Sequence, residues 1–373
     1  MKIAVLHNYL EYIGGAERVA LTLARELGAD IYATVANQRA IELMGFHVKP
    51  KTIGWVPANA PLRQQLTMWR YRMLDLTDEY DLFIIDGDWA MSAAVKNKPN
   101  MWYVHSPIRE IWDLYDYTRE SRVPWYARHV FDIWVNYNRI MNLQYIKHVG
   151  KIACNSQNTR QRVKKYLNRD SAVIYPPIET SDYKYKASGD FWLSVNRLIT
   201  HKRVEMQMEA FSRMPEEKLV VVGCYEKSRQ FLDYTRRLKR IKPKNVEILE
   251  NVGYREIIDL YARCRGFITT ALDEDFGMAP VEAMAAGKPV IAPKDGGYLE
   301  TVIDGKTGVL IEDIDAIKLS QSIQQVGENP EAYKASCMEQ AAKFDTKLFI
   351  KNVKDAMSIT AVGGKDTPTN TTH

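Results

Sequence analysis

Short apolar runs alternate with longer amphipathic stretches along almost the whole chain, and the alternation restarts near its middle. Residues 2–7 form a compact apolar run that predicts a buried strand. A glycine turn at 12–17 follows, and then an amphipathic helix over 18–27. Runs at 30–35, 81–86, 101–105, 151–156 and 172–178 predict further strands. Pro107 stops the run that ends at His105, and a basic helix to Leu167 follows Ser156. Residues 179–189 are polar and irregular, as a linker would be. The pattern then begins again, with strands at 190–195, 218–223, 246–249, 266–271, 288–293 and 307–311 and a helix over 204–214 after the first of them. Helices over 313–326, 330–343 and 347–358 close the series. The tail from Thr360, rich in threonine with Gly363 and Gly364, reads as disordered or appended. Such an alternation predicts α/β, doubly wound sheets.

One loop concentrates the chemistry. Asp273-Glu274-Asp275-Phe276-Gly277-Met278 follows an apolar run and precedes a strong helix former around Glu282. Pro280 suits the first turn of that helix, where its missing N–H costs nothing. Gly277 lets backbone N–H groups come close to a ligand. A helix N-terminus with unpaired N–H groups favours an anion such as a phosphate. Carboxylates at Glu274 and Glu282 would then accept hydrogen bonds from hydroxyls. A ligand with both phosphates and hydroxyls, such as a nucleotide-sugar, reconciles the two. The Glu-x7-Glu spacing is common, and a solvated acidic loop before an ordinary helix would carry it as well.

Three other places bear on the same ligand. His105 ends a strand, and open α/β sheets bind ligands off the carboxyl ends of their strands. Arg197 and Lys202 flank the loop after the 190–195 strand, where two cations could clamp a diphosphate. Gly14 and Gly15 would let the backbone face a ligand at the start of the first helix, although they do not form a dinucleotide fingerprint and suit a plain tight turn equally. The basic helix over 226–241, with Lys227, Arg229, Arg236, Arg237, Lys239 and Arg240, reads as a solvated face.

Composition narrows the class. The 373 residues are 46% hydrophobic and 26% charged, enough for two domains with separate cores. No apolar run reaches membrane-spanning length, and the opening run is too short for a secretory signal. The four cysteines are far apart and suit reduced, buried thiols in a cytoplasmic protein. The net charge of +5 falls within residues 1–180, which suits an anionic membrane surface, a phosphorylated lipid or nucleic acid. Residues 108–149 mix Trp112, Tyr115, Trp125, Tyr126 and Trp134 with several arginines, and 55–73 do so with Trp55, Trp69 and Arg70. Trp and Tyr beside Arg favour a membrane interface, but helices covering a sheet would show the same residues.

Taken together, the motifs resemble those of the retaining GT-B glycosyltransferases of family GT4, over nearly the whole length. They are Gly14-Gly-Ala-Glu17, Val104-His-Ser-Pro107, Val195-Asn-Arg-Leu with Lys202, Glu274-x7-Glu282, Ala286-Gly-Lys-Pro-Val290, Gly296-Gly297 and Asp304-Gly-x-x-Gly308. His105-Ser-Pro-x-Arg-x-x-Trp-Asp-Leu-Tyr115 and Glu274-Asp-Phe-Gly277 look like the WbaZ-type mannosyltransferase branch, which builds surface polysaccharides or lipid-linked glycans. The resemblance implies two Rossmann-like doubly wound domains facing across a cleft. The division is an acceptor-binding domain over 1–183, a nucleotide-sugar-binding domain over 184–345, a helix over 346–359 crossing back to the first domain, and a tail over 360–373.

By resemblance, Arg197 and Lys202 bind the donor diphosphate and stabilise the departing nucleoside diphosphate, as fixed cations placed where charge develops. Glu282 is expected at the ribose hydroxyls and Glu274 at the donor sugar, with N–H groups around Phe276, Gly277 and Met278 helping. His105 would contact the sugar from the first domain. Gly14, Gly15, Asn196 and Gly223 complete the donor cleft. No cofactor or metal is implied, because the cations take the metal's place, and the chain is expected to lack an Asp-x-Asp metal motif. Transfer with retention, in which the departing phosphate helps deprotonate the acceptor, is the common proposal for the family, and no residue here stands out as a nucleophile.

The expected reaction moves mannose from GDP-mannose to a membrane-lipid-linked glycan, on the inner face of the cell membrane, with no nucleic acid partner. Rivals keep the fold and change the donor to a UDP-sugar, or change the reaction to nucleotide-sugar epimerisation. A noncatalytic anion-binding module is the alternative from another class.

Overall fold

The computed structural model describes residues 1–224 and 229–363, and it contains two large parallel sheets and a short parallel pair, Tyr9–Leu10 with Val35–Ala36. The first runs in the order Lys51–Thr52, Asp30–Ala33, Ile3–Leu6, Leu82–Ile85, Asn100–Val104, Lys151–Cys154, Ala172–Val173. The second runs Val246–Glu250, Lys218–Cys224, Phe191–Arg197, Phe267–Ile268, Val290–Pro293, Gly308–Ile311. All of these pairs are parallel. In each sheet the chain starts at a central strand, winds outward to one edge, returns beside its starting point and continues to the other edge. That is the doubly wound order, and it leaves a crevice where the winding reverses.

The strands are apolar throughout because helices cover both faces. Residues of Ile3–Leu6 alternate between two cores. Ile3 and Val5 pack with Leu21, Ile84 and Tyr103, whereas Ala4 and Leu6 pack with Phe83, Ile85 and Trp102. The second sheet divides its strands in the same way. Leu193, Phe267 and Val290 face one core, and Trp192, Ile268 and Ile291 face the other. A period of two along a strand requires this division.

Several boundaries differ from the sequence expectation. The strand within 266–271 is only Phe267–Ile268, and within 172–178 only Ala172–Val173 before Pro176 and Pro177, with Ile178 bridging to Asp345 beyond them. Residues expected as one helix from 330 form a short 3-10 turn, Pro330–Tyr333, and then the helix Lys334–Ala342. The helix expected from 313 begins at Ala316, because Asp315 caps it by accepting from the Lys318 N–H at 2.8 Å. The stretch 179–189 is anchored to the second domain: Tyr183 is buried against Tyr261, with ring centroids 5.7 Å apart. The helix Arg229–Ile241 exposes Arg236, Arg237, Lys239 and Arg240; Lys227 lies outside the described residues.

The last helix, Thr346–Gly363, packs Phe349, Ile350, Val353 and Met357 into the core of the first domain. Phe349 meets Tyr103 edge-on at 5.7 Å, and Lys151 reaches the Ala356 carbonyl at 3.5 Å. This helix takes in residues 360–363, which were expected to belong to an irregular tail. Residues 364–373 lie outside the described residues. Where the chain first leaves the first domain, Ile178 donates to the Phe344 carbonyl at 3.0 Å and accepts from Thr346 N–H at 3.0 Å, so the outgoing and returning segments touch.

Candidate functional site

The carboxyl ends of the central strands of the two sheets open onto one shared cavity of about 350 Å³. The first domain contributes the loop after Ile3–Leu6, which leads to Gly14 and Gly15, and His105 just beyond Asn100–Val104. The second contributes Asn196, Arg197 and Lys202 after its starting strand, Gly223, and residues 274–282 beyond Phe267–Ile268. All twelve residues singled out from the sequence line this cavity: Gly14, Gly15, His105, Asn196, Arg197, Lys202, Gly223, Glu274, Phe276, Gly277, Met278 and Glu282.

The helix Met278–Ala285 points its first turn into the cavity, with Pro280 as its third residue. Gly277 before it has φ +87°, and a Cβ there would meet a Tyr298 ring carbon at 2.8 Å. Both the backbone conformation and the space require glycine. A Cβ on Gly15 would meet the Met278 sulfur at 3.0 Å, so the start of the first helix lies against the start of this one across the cleft.

The charges form two pairs. Lys202 Nζ is ion-paired with Glu274, and both side chains are mostly buried. Burial would push the Glu274 carboxyl up, but the charge and hydrogen bond of Lys202, with the charge of Arg197, outweigh it and hold the group below its usual range. Burial and the cations Lys202 and Arg197 push the His201 imidazole down to about 3. The region around Lys202 is therefore electropositive apart from Glu274 itself. Glu282 departs from the simple expectation of a carboxylate open to ribose hydroxyls. It is ion-paired with Arg18 from the first domain and accepts from the Tyr261 hydroxyl at 2.9 Å. Arg18 lies in the first turn of the opening helix and lines the same cavity, but nothing in its local sequence distinguishes it from a solvated helix residue.

His105 is part of a buried chain of three groups. Its Nε2 lies 3.0 Å from Asp86 Oδ1, and the other oxygen of Asp86 lies 2.8 Å from His7 Nδ1. Asp86 is completely buried. Burial alone would push the His105 imidazole down; the adjacent Asp86 charge and hydrogen bond reverse this, so the group is raised above its ordinary value. Asp86 and His7 end their own strands at the same crevice. Their positions could have been read from the strand pattern, but their pairing with His105 could not.

Asp-x-Asp spacings, the usual sequence sign of a metal-dependent transferase, do occur, at Asp86–Asp88, Asp273–Asp275 and Asp313–Asp315. Asp86 is engaged by two histidines, and Asp273 and Asp275 face arginines. Among the described residues no group of three His, Cys, Asp or Glu side chains could hold a metal ion.

The aromatic and basic segments divide between the two readings left open. Trp112, Tyr115, Phe131 and Trp134 pack with Ile108, Ile111 and Val135. On the helices Leu62–Met73 and Arg128–Tyr145, by contrast, Leu62, Trp69, Met73, Val130, Ile133, Tyr137 and Ile140 are exposed, as are Trp55, Trp125 and Tyr126 nearby. Gln65 donates to Asn138 at 2.8 Å and joins the two helices side by side. Among the described residues no helix is long and apolar enough to cross a membrane.

Comparison with known proteins matches this arrangement. Residues 13–182 match the family model for Glycosyltransferase Family 4, and residues 181–344 match that for Glycosyl transferases group 1. The chain is 25% identical over 368 residues to the alpha-1,3/1,6-mannosyltransferase ALG2 of Mus musculus, covering 85% of this chain and 86% of that one. It is 26% identical over 452 residues to ALG2 of Candida glabrata, covering 97% and 94%. Among solved structures, Anabaena Alr3699/HepE in complex with UDP and glucose superposes with a TM-score of 0.77 at 19% identity, over 96% of this chain and 99% of the other. Sucrose-phosphate synthase from Thermosynechococcus elongatus gives 0.75 at 16% identity, over 97% and 100%. These likenesses show the GT-B fold.

Proposed function

The chain belongs to glycosyltransferase family 4 and is a hexosyltransferase with the GT-B fold, and from that premise we propose that it moves mannose from GDP-mannose, with retention, onto a glycan carried by a membrane lipid. The observation that carries the reading is the convergence of Arg197, Lys202, Glu274 and the Met278–Ala285 helix N-terminus on one cavity between the domains.

In this reading the donor diphosphate lies between the helix N-terminus and the two cations. As the bond from the sugar to phosphate breaks, negative charge grows on the leaving phosphate. Cations held in a partly dry cleft stabilise that charge without having to reorganise. The chain's own cations take the place of a metal. Glu274 accepts from donor-sugar hydroxyls and is already ionised, because Lys202 and Arg197 outweigh the effect of burial. His105, held by Asp86, presents its other nitrogen to the sugar from the first domain. Glu282 accepts from the ribose while Arg18 and Tyr261 hold it in place.

Mannose as the sugar, and a GDP donor with it, are favoured by the similarity to alpha-1,3/1,6-mannosyltransferases over most of both chains. A lipid-borne acceptor on an anionic membrane is favoured by the exposed apolar face of the first domain, flanked by Arg70, Arg72, Arg128, His129 and Lys147. That face adjoins the cleft: Tyr117 meets Thr200 at 3.0 Å beside Lys202, and Tyr9 meets Thr67 at 3.0 Å on the loop leading to Gly14. The test is a donor screen that follows sugar transfer to lipid extract, with the anomer of the product determined. The expected result is transfer from GDP-mannose giving the α-anomer. Transfer only from a UDP-sugar, or a β-linked product, would replace this reading.

A further inference from the structure

The loop that carries Glu274 belongs to the second domain, but the first domain grips it. Arg162 is ion-paired with Asp275, and its other guanidinium nitrogen lies 2.6 Å from Asp273 Oδ2 and 3.2 Å from the Asp273 carbonyl. Arg109 donates to the same carbonyl at 3.0 Å and to Asp273 Oδ2 at 3.0 Å. Asp113 steadies both arginines, at 2.9 Å from Arg109 Nε and 3.8 Å from Arg162 Nε. Asp273 has φ +48°, a left-handed conformation that is costly for a residue with a side chain and persists where surroundings over-determine it. The Glu274 carbonyl accepts from Asn158 of the first domain at 3.0 Å and from Gly297 N–H of the second at 2.7 Å. Gly296 and Gly297 lie so close beneath residues 274–276 that any Cβ there would collide with the loop backbone. In return, Glu300 accepts the Gln157 and Asn158 N–H groups at 2.8 and 3.0 Å.

We propose that Arg109 and Arg162 are positioning residues for the transfer: by holding Asp273 and Asp275 on either side of Glu274, they set the Glu274 carboxylate against the donor sugar only when the two domains are together. This rests on the reading of Glu274 as the donor-sugar residue. Neither arginine lines the cavity, so both act through the loop. Lys202 pairs with the end of the Glu274 side chain but must also serve the diphosphate; the second domain holds the loop backbone through Gly297 N–H and the Asp295 carboxylate, which accepts from Asp273 N–H at 2.8 Å, and the arginines fix it from the first domain. Arg197, Lys202 and the helix N-terminus all belong to the second domain. Nucleoside diphosphate binding therefore does not need the grip, whereas orientation of the sugar does. The contact makes closure of the cleft a condition for a complete site.

The test uses Arg162→Gln and Arg109→Gln in the full chain, alone and combined with Glu274→Gln. Amide hydrogen exchange at residues 270–277 is expected to quicken, while the thermal shift given by GDP is unchanged. The kcat should fall by about 10–100-fold, since a displacement of ~1 Å at a reacting centre costs that much, with donor KM nearly constant. In the Glu274→Gln background Arg162→Gln should add almost nothing, because residues acting through one another are not additive. Arg162→Lys should restore only part, as lysine cannot engage two oxygens in a fork. If Arg162→Gln fails to fold, Asp275→Asn opens the same contact from the other side. Unchanged exchange, or full multiplication of the two defects, would overturn the proposal. A wild-type chain that moves no sugar would instead remove the functional reading, and the exchange would still decide whether the arginines hold the loop.

Discussion

Lys202 and Glu274 are ion-paired in the lining of the cleft, and under the proposed function each meets a different part of one ligand. If the proposed function holds, Lys202→Met removes a cation from where charge would develop, and kcat should fall by about 10²–10³-fold, the usual loss for one electrostatic donor. Glu274→Gln should lower turnover of the nucleotide-sugar while leaving GDP binding intact, as measured by titration calorimetry. His105 permits a prediction about pH. Its folded value is raised by Asp86, so the pair contributes stability that is complete below the unfolded histidine value of about 6.5 and disappears as pH rises through the folded one. His105→Gln should therefore cost more stability at pH 6 than at pH 9 in urea titrations. An equal cost at both pH values would show that the Asp86 charge is not felt. At this scale the chemistry was legible wherever it is local. Glu274, Gly277 and Glu282 lie within nine residues of one another, and their spacing carries meaning. Arg18 and Arg162 were not legible, because their partners are 264 and 113 positions away in sequence. Only the fold brings them together.

At the scale of elements, the strand-to-helix passage over 274–285 sets the site. Gly277 takes up a positive φ so that the helix N-terminus can enter the cavity. Gly277→Ala should destabilise the chain by about 1–2 kcal/mol, from the left-handed conformation alone, and more if Tyr298 cannot yield. Chemical denaturation measures it, and a neutral result would mean that the turn relaxes freely. Most strands were readable because parallel strands covered on both faces are continuous apolar runs. The edges were not. Lys51–Thr52 is exposed and carries no apolar signal, yet it completes the order of the first sheet. The run over 172–178 looks like a full strand, but its two prolines cannot donate to a ladder, and its bonds to the neighbouring strand end with Ile174 N–H on the Cys154 carbonyl at 2.9 Å.

At the scale of the whole molecule, the exposed apolar face of the first domain adjoins the cleft, where Tyr117 meets Thr200 at 3.0 Å. The sequence could not tell membrane contact from core packing over 108–149, because both use Trp, Tyr and Arg. Burial separates them: Val130 and Ile133 are 69% and 71% exposed, whereas Val135 is 1% exposed. Val130→Asp with Ile133→Asp should leave stability nearly unchanged and reduce flotation of the protein with anionic liposomes. Equal flotation of variant and wild type would move the membrane contact elsewhere.

The central claim is that the facing sheets hold a sugar diphosphate whose departure the second domain's cations make easy. The most direct measurement is the melting temperature with GDP, UDP and ADP, for the wild type and for Lys202→Met. A ligand that binds only the folded chain adds about 2.7 kcal/mol at a hundredfold excess over its Kd. The account predicts a rise with GDP in the wild type that is much smaller in the variant. No rise with any of the three nucleotides, or the same rise in the variant, would contradict it.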